Sequence, residues 1–431
     1  MPDPSVCRGS ASGHTGVAAR RWFAAVAIVA CALASSAPAA ARVSDSGGPP
    51  SVSVRVNGAP ETVFKWASGP CQERMIPDAP ARAFRNADGK VRLVAASFDN
   101  WSMHGPSLDE VRPDCRPLFR GAERSEPHLF DDRGWIEAFY TLDGRTVYAL
   151  ISNEWDGFRH AASGVPLGPT CRVRQYAPGC MVYSINLAVS SNGGRIFRYP
   201  ASDGGQVVAG AAYHPAKTGR EGNATAGELP APGGVPTVSN IVERGGYFYA
   251  MVFYRGAGPH EDGNCLMRTD DLGDASRWRA WDGQDFTIRP VSHGPNEAPS
   301  QRCALVARRT LGWDVRSLSW HAKTQSYIAI MHSASRDAGG RRIVGVHYAT
   351  SPDLLRWSDA RLLMEVPNTL DSTCRPPAKY PSMLDAGSSS PNFETVGDNA
   401  YIYYTQYNLE NCRISLDRDL RRLPVMIGVA P

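Results

Sequence analysis

"HYATSPDLLRW", residues His347 to Trp357, runs an alternating segment into a Ser-Pro-Asp turn and closes on a Trp. Successive side chains occupy opposite faces of a strand, so His347 to Thr350 reads as β. Asp353 then reads as a turn residue whose carboxylate caps backbone N–H groups. The same order returns in "MRTDDLGDASRW" (Met267 to Trp278). It returns again in "NLAVSSNGGRIF" (Asn186 to Phe197), with Asn192-Gly193-Gly194 in the turn and Phe197 in the aromatic place. Asn192, Asp271 and Asp353 lie roughly 80 residues apart, and the Leu108-Asp109 turn lies about one period earlier. That spacing accommodates a repeated four-stranded unit with insertions. The turn would join the outer strands of a unit, making Asp271 and Asp353 structural and packing the aromatic residue between units.

Five further segments share one character: "VRLVAA" from Val91, "VYALIS" from Val147, "YFYAMVF" from Tyr247, "YIAIMH" from Tyr327 and "AYIYYT" from Ala400. Each follows a hairpin-type turn: Asp88-Gly89, Asp143-Gly144, Gly245-Gly246, His321 to Gln325, and Gly397-Asp398-Asn399. Before each turn stands another short strand, namely "ARAF", "WIEAFY", "TVSNIV", "VRSLSW" and "NFETV". Helical periodicity is almost absent. Four strands taken five times predict an all-β chain, a five-bladed β-propeller of four-stranded antiparallel blades, with a β-sandwich as the competing arrangement. The Gly-, Ala- and Pro-rich stretch from Ala201 to Val235 reads as a long surface loop rather than a domain.

The 431 residues are 42% hydrophobic and 20% charged, with a net charge of +4 and no long Lys/Arg run. That composition gives nucleic-acid binding no electrostatic footing. Arg20-Arg21, the apolar run from Trp22 to Ala34 and the small residues through Ala41 follow the order of a secretory signal. The run is too short to span a bilayer. Arg20 to Phe23 weakly resembles a twin-arginine signal and Ile28 to Cys31 a lipoprotein box, both ranked behind simple cleavage near Ala41. The expected organisation is a signal over 1–41, a lead-in over 42–80 and a single propeller domain over 81–431. The lead-in would pair with the last blade or pack across one face. The product would be secreted or periplasmic and monomeric, with no membrane association beyond export.

Without Cys7 and Cys31, the cysteines are Cys71, Cys115, Cys171, Cys180, Cys265, Cys303, Cys374 and Cys412, an even set suited to disulfides in an oxidising compartment. Sequential pairing would keep each bridge within one repeat, although spacing alone leaves the connectivity open. No C-x-x-C pair or zinc spacing occurs, and His160, His214 and His260 lack metal-ligand spacing. G-x-S-x-G, H-E-x-x-H, P-loop and dinucleotide fingerprints are missing too, so neither a metal nor a cofactor is expected.

The Ser/Asp-turn-aromatic repeats on a five-fold count resemble the arabinanase, levansucrase and invertase type of propeller glycoside hydrolases. The turns also resemble degenerate copies of the sialidase Asp box. This resemblance spans Arg82 to Val425 and implies a carbohydrate substrate. It also implies an Asp at the mouth of the first inner strand acting as general base or nucleophile. "MIPDAPARAF" puts Asp78 there, between Pro77 and Pro80.

Chain direction alternates within a blade, so hairpins and Asp turns share one face. Starts of first strands and ends of second strands share the other. Strand starts bring Asp78, Arg82, Glu137, Asn240, Arg316 and Tyr380 to that second face; exits bring Asp99, Asn100, Trp101, Asn153, Glu154, Trp155 and Tyr407. Carboxylates for proton transfer, amides for hydroxyls and rings for apolar sugar faces suit a glycan site. Glu154 opens into a loop beside Trp155, and a carboxyl held against an indole has the raised pKa of a general acid. The plainer alternatives are a turn-capping Asp78 and an exposed loop Glu154. Glu137 faces the channel either as an acid or pKa-modulating group or as half of an ion pair. Arg82 and Arg316 either grip a carboxylate-bearing sugar or neutralise the channel carboxylates. Three functions stay open: a secreted glycoside hydrolase using Asp78, Glu154 and Glu137; a glycan-binding propeller stacking sugars on Trp101, Trp155 and Tyr407; and a sialidase-like enzyme on acidic sugars with Tyr380 or Tyr404 as nucleophile.

Overall fold

Apolar and aromatic residues at alternate positions make this chain almost wholly strand and short turn, as a computed structural model shows. The structure describes residues 52–71, 75–165, 171–172, 180–201, 203–210, 234–255, 262–291 and 303–429. All lie in one compact unit, Pro49–Pro431. The expected export signal lies outside the described residues, as does most of the loop expected at Ala201 to Val235.

The first strands are β1 (Val52–Val56) and β2 (Glu61–Phe64). A first antiparallel ladder then runs through β3 (Pro77–Arg85), β4 (Val91–Ala96), β5 (Ser102–Gly105) and β6 (Arg112–Asp114). The second comprises β7 (Arg133–Thr141), β8 (Val147–Asp156), β9 (Met181–Ser190) and β10 (Val207–Gly210). In the third, β11 (Gly234–Val238) and β12 (Val242–Arg244) both pair with β13 (Tyr247–Arg255), followed by β14 (Gly263–Thr269), β15 (Arg279–Trp281) and β16 (Phe286–Ile288). The fourth is β17 (Val315–His321), β18 (Ser326–Arg336), β19 (Arg342–Ser351) and β20 (Arg361–Glu365). The last contains β21 (Ala378–Leu384), the short β22 (Thr395–Val396), β23 (Asn399–Glu410) and β24 (Arg413–Val429). Hydrogen bonding groups the strands into sheets of 4, 10, 5 and 5. The largest arises because a parallel contact of Gly234 with Tyr183 bridges the second and third ladders.

The five recurrent segments of the sequence are β4, β8, β13, β18 and β23, each hydrogen-bonded on both sides. "NFETV" is not the partner of β23. β21 takes that place, and β22 crosses to pair in parallel with β17. The connection is too long for a hairpin, and the Asp385 carboxylate ties it by accepting from Gly387 N (2.7 Å) and Gly397 N (2.8 Å). The lead-in pairs with the last ladder: β1 lies antiparallel on β24, from Val52 opposite Val429 to Val56 opposite Val425.

The Asp turns behave as their chemistry requires. Asp353 Oδ1 accepts from Leu355 N (3.0 Å) and Arg356 N (2.8 Å), Asp271 Oδ1 from Gly273 N (2.8 Å), and Asn192 Oδ1 from Arg195 and Ile196 N (both 3.1 Å). The aromatic residue after each turn packs against the neighbouring ladder. Phe197 meets Phe139, which in turn meets Phe84 of the first ladder, and buried Trp278 shares a cluster with Tyr140 and Leu150 of the second. Disulfides join Cys71–Cys115, Cys171–Cys180, Cys265–Cys303 and Cys374–Cys412, the sequential set, which fits an oxidising compartment.

The leading strands of the ladders touch in a ring. β3 contacts β7, β7 contacts β11, β11 contacts β17, β17 contacts β21, and β21 returns to β3. Each also breaks register with its partner at a comparable level: between Pro77 and Arg82, Ile136 and Ala138, Gly234 and Thr237, Val315 and Ser317, and Lys379 and Ser382. A bulge leaves a residue out of the ladder and re-aims its side chain.

Candidate active site

Those register breaks hold most of the charged groups that meet at the ring. Pro77 and Pro80 have no N–H to give a ladder, so β3 bulges there and turns Asp78 out of the sheet. Glu137 and Arg316 are the unpaired residues of the β7 and β17 bulges. Tyr380 sits in the β21 bulge beside Pro381, with a left-handed backbone (φ 58°) that a bulky residue adopts only when its surroundings impose it.

Asp78 Oδ1 accepts from the Tyr380 hydroxyl (3.1 Å) and from the Arg418 guanidinium. Burial raises the Asp78 pKa, while Arg418, Tyr380 and Lys379 pull it back down. Arg418 in turn lies over the Tyr407 ring at 4.4 Å. Glu137 accepts from Val238 N (2.8 Å) and pairs with Arg316 (3.2 Å), whose other Nη holds Asp314 at 2.5 Å. Burial raises the Glu137 pKa against the pull of Arg316. Arg316 goes up: burial lowers it, but Asp314 and Glu137 outweigh that.

Glu154 differs from both. Its carboxyl makes no hydrogen bond or ion pair among the described residues. Burial, joined by the charges of Asp78 and Glu137, pushes its carboxyl up to about 8, only partly offset by Arg255 and Arg316. At neutral pH this carboxyl is protonated, and Asp78 beside it is held by two donors. Two carboxyls in differing environments, one unpaired and one held by donors, are the arrangement that separates acid and base roles.

The structure thus brings together Asp78, Glu137, Glu154, Arg316 and Tyr380, with buried Tyr407 behind Arg418. Arg82 is present but spent. It is 3% exposed and donates to the carbonyls of Glu137, Arg316 and Ala81, so it braces the ring instead of reaching a ligand. The amides also belong to the scaffold. Asn100 donates to the Phe98, Phe119 and Gly134 carbonyls (2.9, 3.2 and 2.6 Å) and accepts from Ile136 N. Asn153 accepts from Asp132 N, and Asn240 clamps Leu318 through both its carbonyl and its N–H. Trp101 and Trp155 are core residues. Because side chains alternate along β8, Trp155 points away from the face Glu154 occupies. Asp99 pairs with Arg120 (3.0 Å) in an adjoining cavity lined by Phe98 and Arg133.

Arg418 and Lys379 were not among the expected site residues. Arg418 stands opposite Tyr407 in the β23–β24 register, so that pairing was the signal for it. The aromatic residue bonded to a carboxylate is the expected Tyr380, through its hydroxyl. Trp135 is half-buried and meets Phe98 edge-on at 5.7 Å, and Arg133, on Trp135's side of β7, stands opposite Glu154. Among the described residues no group of three or more His, Cys, Asp or Glu is placed to hold a metal ion.

No protein-family model matches the chain, and no curated protein sequence does. Among solved structures the chain is similar to the α-L-arabinanase of Cellvibrio cellulosa, with 11% identity, 80% of this chain and 90% of that one covered, and a TM-score of 0.43. It is also similar to the catalytic domain of the GH62 α-L-arabinofuranosidase of Coprinopsis cinerea (11%, covering 86% and 97%, TM-score 0.42) and to a thermostable family-43 glycoside hydrolase (10%, covering 85% and 97%, TM-score 0.43). The resemblance is one of scaffold.

Proposed function

We propose that this chain is an exported, monomeric glycoside hydrolase. In this reading the five ladders are blades of four strands around a central cleft, closed by the pairing of β1 with β24. One observation carries the functional reading: an unpaired carboxyl pushed up to about 8 stands beside a carboxylate held by an arginine and a tyrosine hydroxyl. Hydrolysis of a glycosidic bond needs that combination. Glu154 gives its proton to the departing glycosidic oxygen. Asp78 attacks the anomeric carbon or removes a proton from the attacking water. Glu137, anchored by Arg316 and Val238 N, keeps Glu154 protonated through its charge.

The two rival functions find less support. A non-catalytic glycan binder would need Trp101, Trp155 and Tyr407 as open platforms, and all three are buried. A sialidase-like site would need Arg82 and Arg316 free to grip a carboxylate, and both are engaged within the ring.

A reducing-sugar screen across plant, microbial and host polysaccharides, paired with a glycan-binding array, tests the proposal. Wild type should release product. Asp78→Asn and Glu154→Gln should keep wild-type circular dichroism and lose about 10²–10⁴-fold in turnover. Binding without product from any polysaccharide would contradict the hydrolase and favour the glycan binder.

A further inference from the structure

Beside the carboxylates lies a cleft of about 600 Å³ lined by Phe253, Arg255, Asp262, Arg308, Arg309, Gly312, Trp313, Asp314 and Asn368. Among the described residues its charge is lopsided. Asp314 is already committed to Arg316 at 2.5 Å, which leaves three guanidiniums facing Asp262. Arg308 and Arg309 are exposed and make no hydrogen bond or ion pair among the described residues. Arg255 is exposed as well, and its guanidinium lies 6.0 Å from the Tyr183 ring. Three neighbouring guanidiniums repel one another, and an oxyanion that accepts from them in parallel relieves the repulsion. Trp313 and Phe253 add apolar surface for a sugar face.

Two chains of contact relate the cleft to the carboxylates. Tyr183, under Arg255, stands opposite Glu154 in the β8–β9 register, and Arg255 is near enough to draw the Glu154 pKa down. On the other wall, Asp314 reaches Glu137 through Arg316. In the proposed hydrolase, a glycan with its scissile bond at Glu154 would extend past Arg255 toward this cleft.

We infer that this cleft is a subsite for an acidic sugar, with a carboxylate, sulfate or phosphate oxyanion gripped by Arg255, Arg308 and Arg309 and the ring laid on Trp313. The inference rests on the proposed hydrolase for its orientation, and it makes the substrate an anionic glycan. It differs from a sialidase-like site, because the guanidiniums lie beside the reacting carboxyls and not among them.

The test is a printed array in which uronate, sulfated and phosphorylated glycans stand next to their neutral parents. It is probed with wild type, the Arg308→Gln/Arg309→Gln double variant, and Glu154→Gln. Wild type and Glu154→Gln should retain anionic members about tenfold above their neutral parents. That preference should shrink as NaCl rises from about 0.05 to 0.5 M. It should vanish in the double variant, and the spots retained identify the oxyanion. Equal retention of neutral parents, no retention of any member, or an unchanged preference in the double variant would overturn the subsite. Charge preference without product from any polysaccharide would remove the hydrolase alone, and product without charge preference would remove the subsite alone.

Discussion

In the proposed hydrolase Glu154 is the proton donor, and its environment makes two measurable demands. Its folded pKa of about 8 lies above the ordinary value of 4.5, so the native state binds the proton more tightly than the unfolded chain. The stability tied to that proton is fully present below about 4.5 and is lost as pH rises through about 8. Gln in its place cannot titrate. The melting temperature of Glu154→Gln relative to wild type should therefore climb between pH 4 and 9, and a difference that stays flat over that range would refute the shift. The proposed hydrolysis uses the same proton: kcat/KM should hold through neutrality and decline above about pH 8, as Glu154 ionises. An alkaline limb starting near pH 5 would assign the acid to another group.

At the scale of the element, the bulges decide what the cleft displays, and the amide clamps hold them. Asn100 fastens β7 on both sides of Trp135, through Gly134 O and Ile136 N, just ahead of the Glu137 bulge. Ala at this position strands those buried groups at roughly 1–3 kcal/mol each. Asn100→Ala should cost on the order of 3 kcal/mol in urea unfolding and also slow turnover; a loss under about 1 kcal/mol would show that the clamp is dispensable. The strands themselves were legible: alternation marked β4, β8, β13, β18 and β23, and Asp turns marked the outer hairpins. In the candidate site, Asp78 and Tyr380 carried a sequence mark in Pro77, Pro80 and Pro381, whereas Glu137, Glu154 and Arg316 were found from their places at strand starts and exits. Asn100, Asn153 and Asn240 misled because a polar residue at a strand exit can bind a ligand or a neighbouring backbone, and only the tertiary register tells which. Arg308 and Arg309 carried no periodic signal, since they lie in a loop.

For the whole molecule, the ring of leading strands makes stability and site geometry one problem, because Arg82 ties β3 to β7 and β17 across its centre. In the proposed propeller β1 closes the frame, and it buries Val52 and Val54 against the core shared by the fourth and last ladders. Removing residues 49–57 should cost roughly 3–6 kcal/mol for those two side chains and expose the edge of β24. Hydrogen exchange at Val425 to Val429 should rise to match, whereas an unchanged urea midpoint would mean that β1 closes nothing. The central claim is that this closed frame holds Glu154 as the proton donor to a leaving group and Asp78 as its partner. It is tested most directly by leaving-group dependence, using two glycosides of one accepted sugar, one bearing dinitrophenolate and one an alkyl alcohol. Glu154→Gln should lose about 10²–10⁴-fold on the alkyl glycoside and stay near wild type on the dinitrophenyl one, which departs without a proton. Equal losses on both substrates would contradict the assignment.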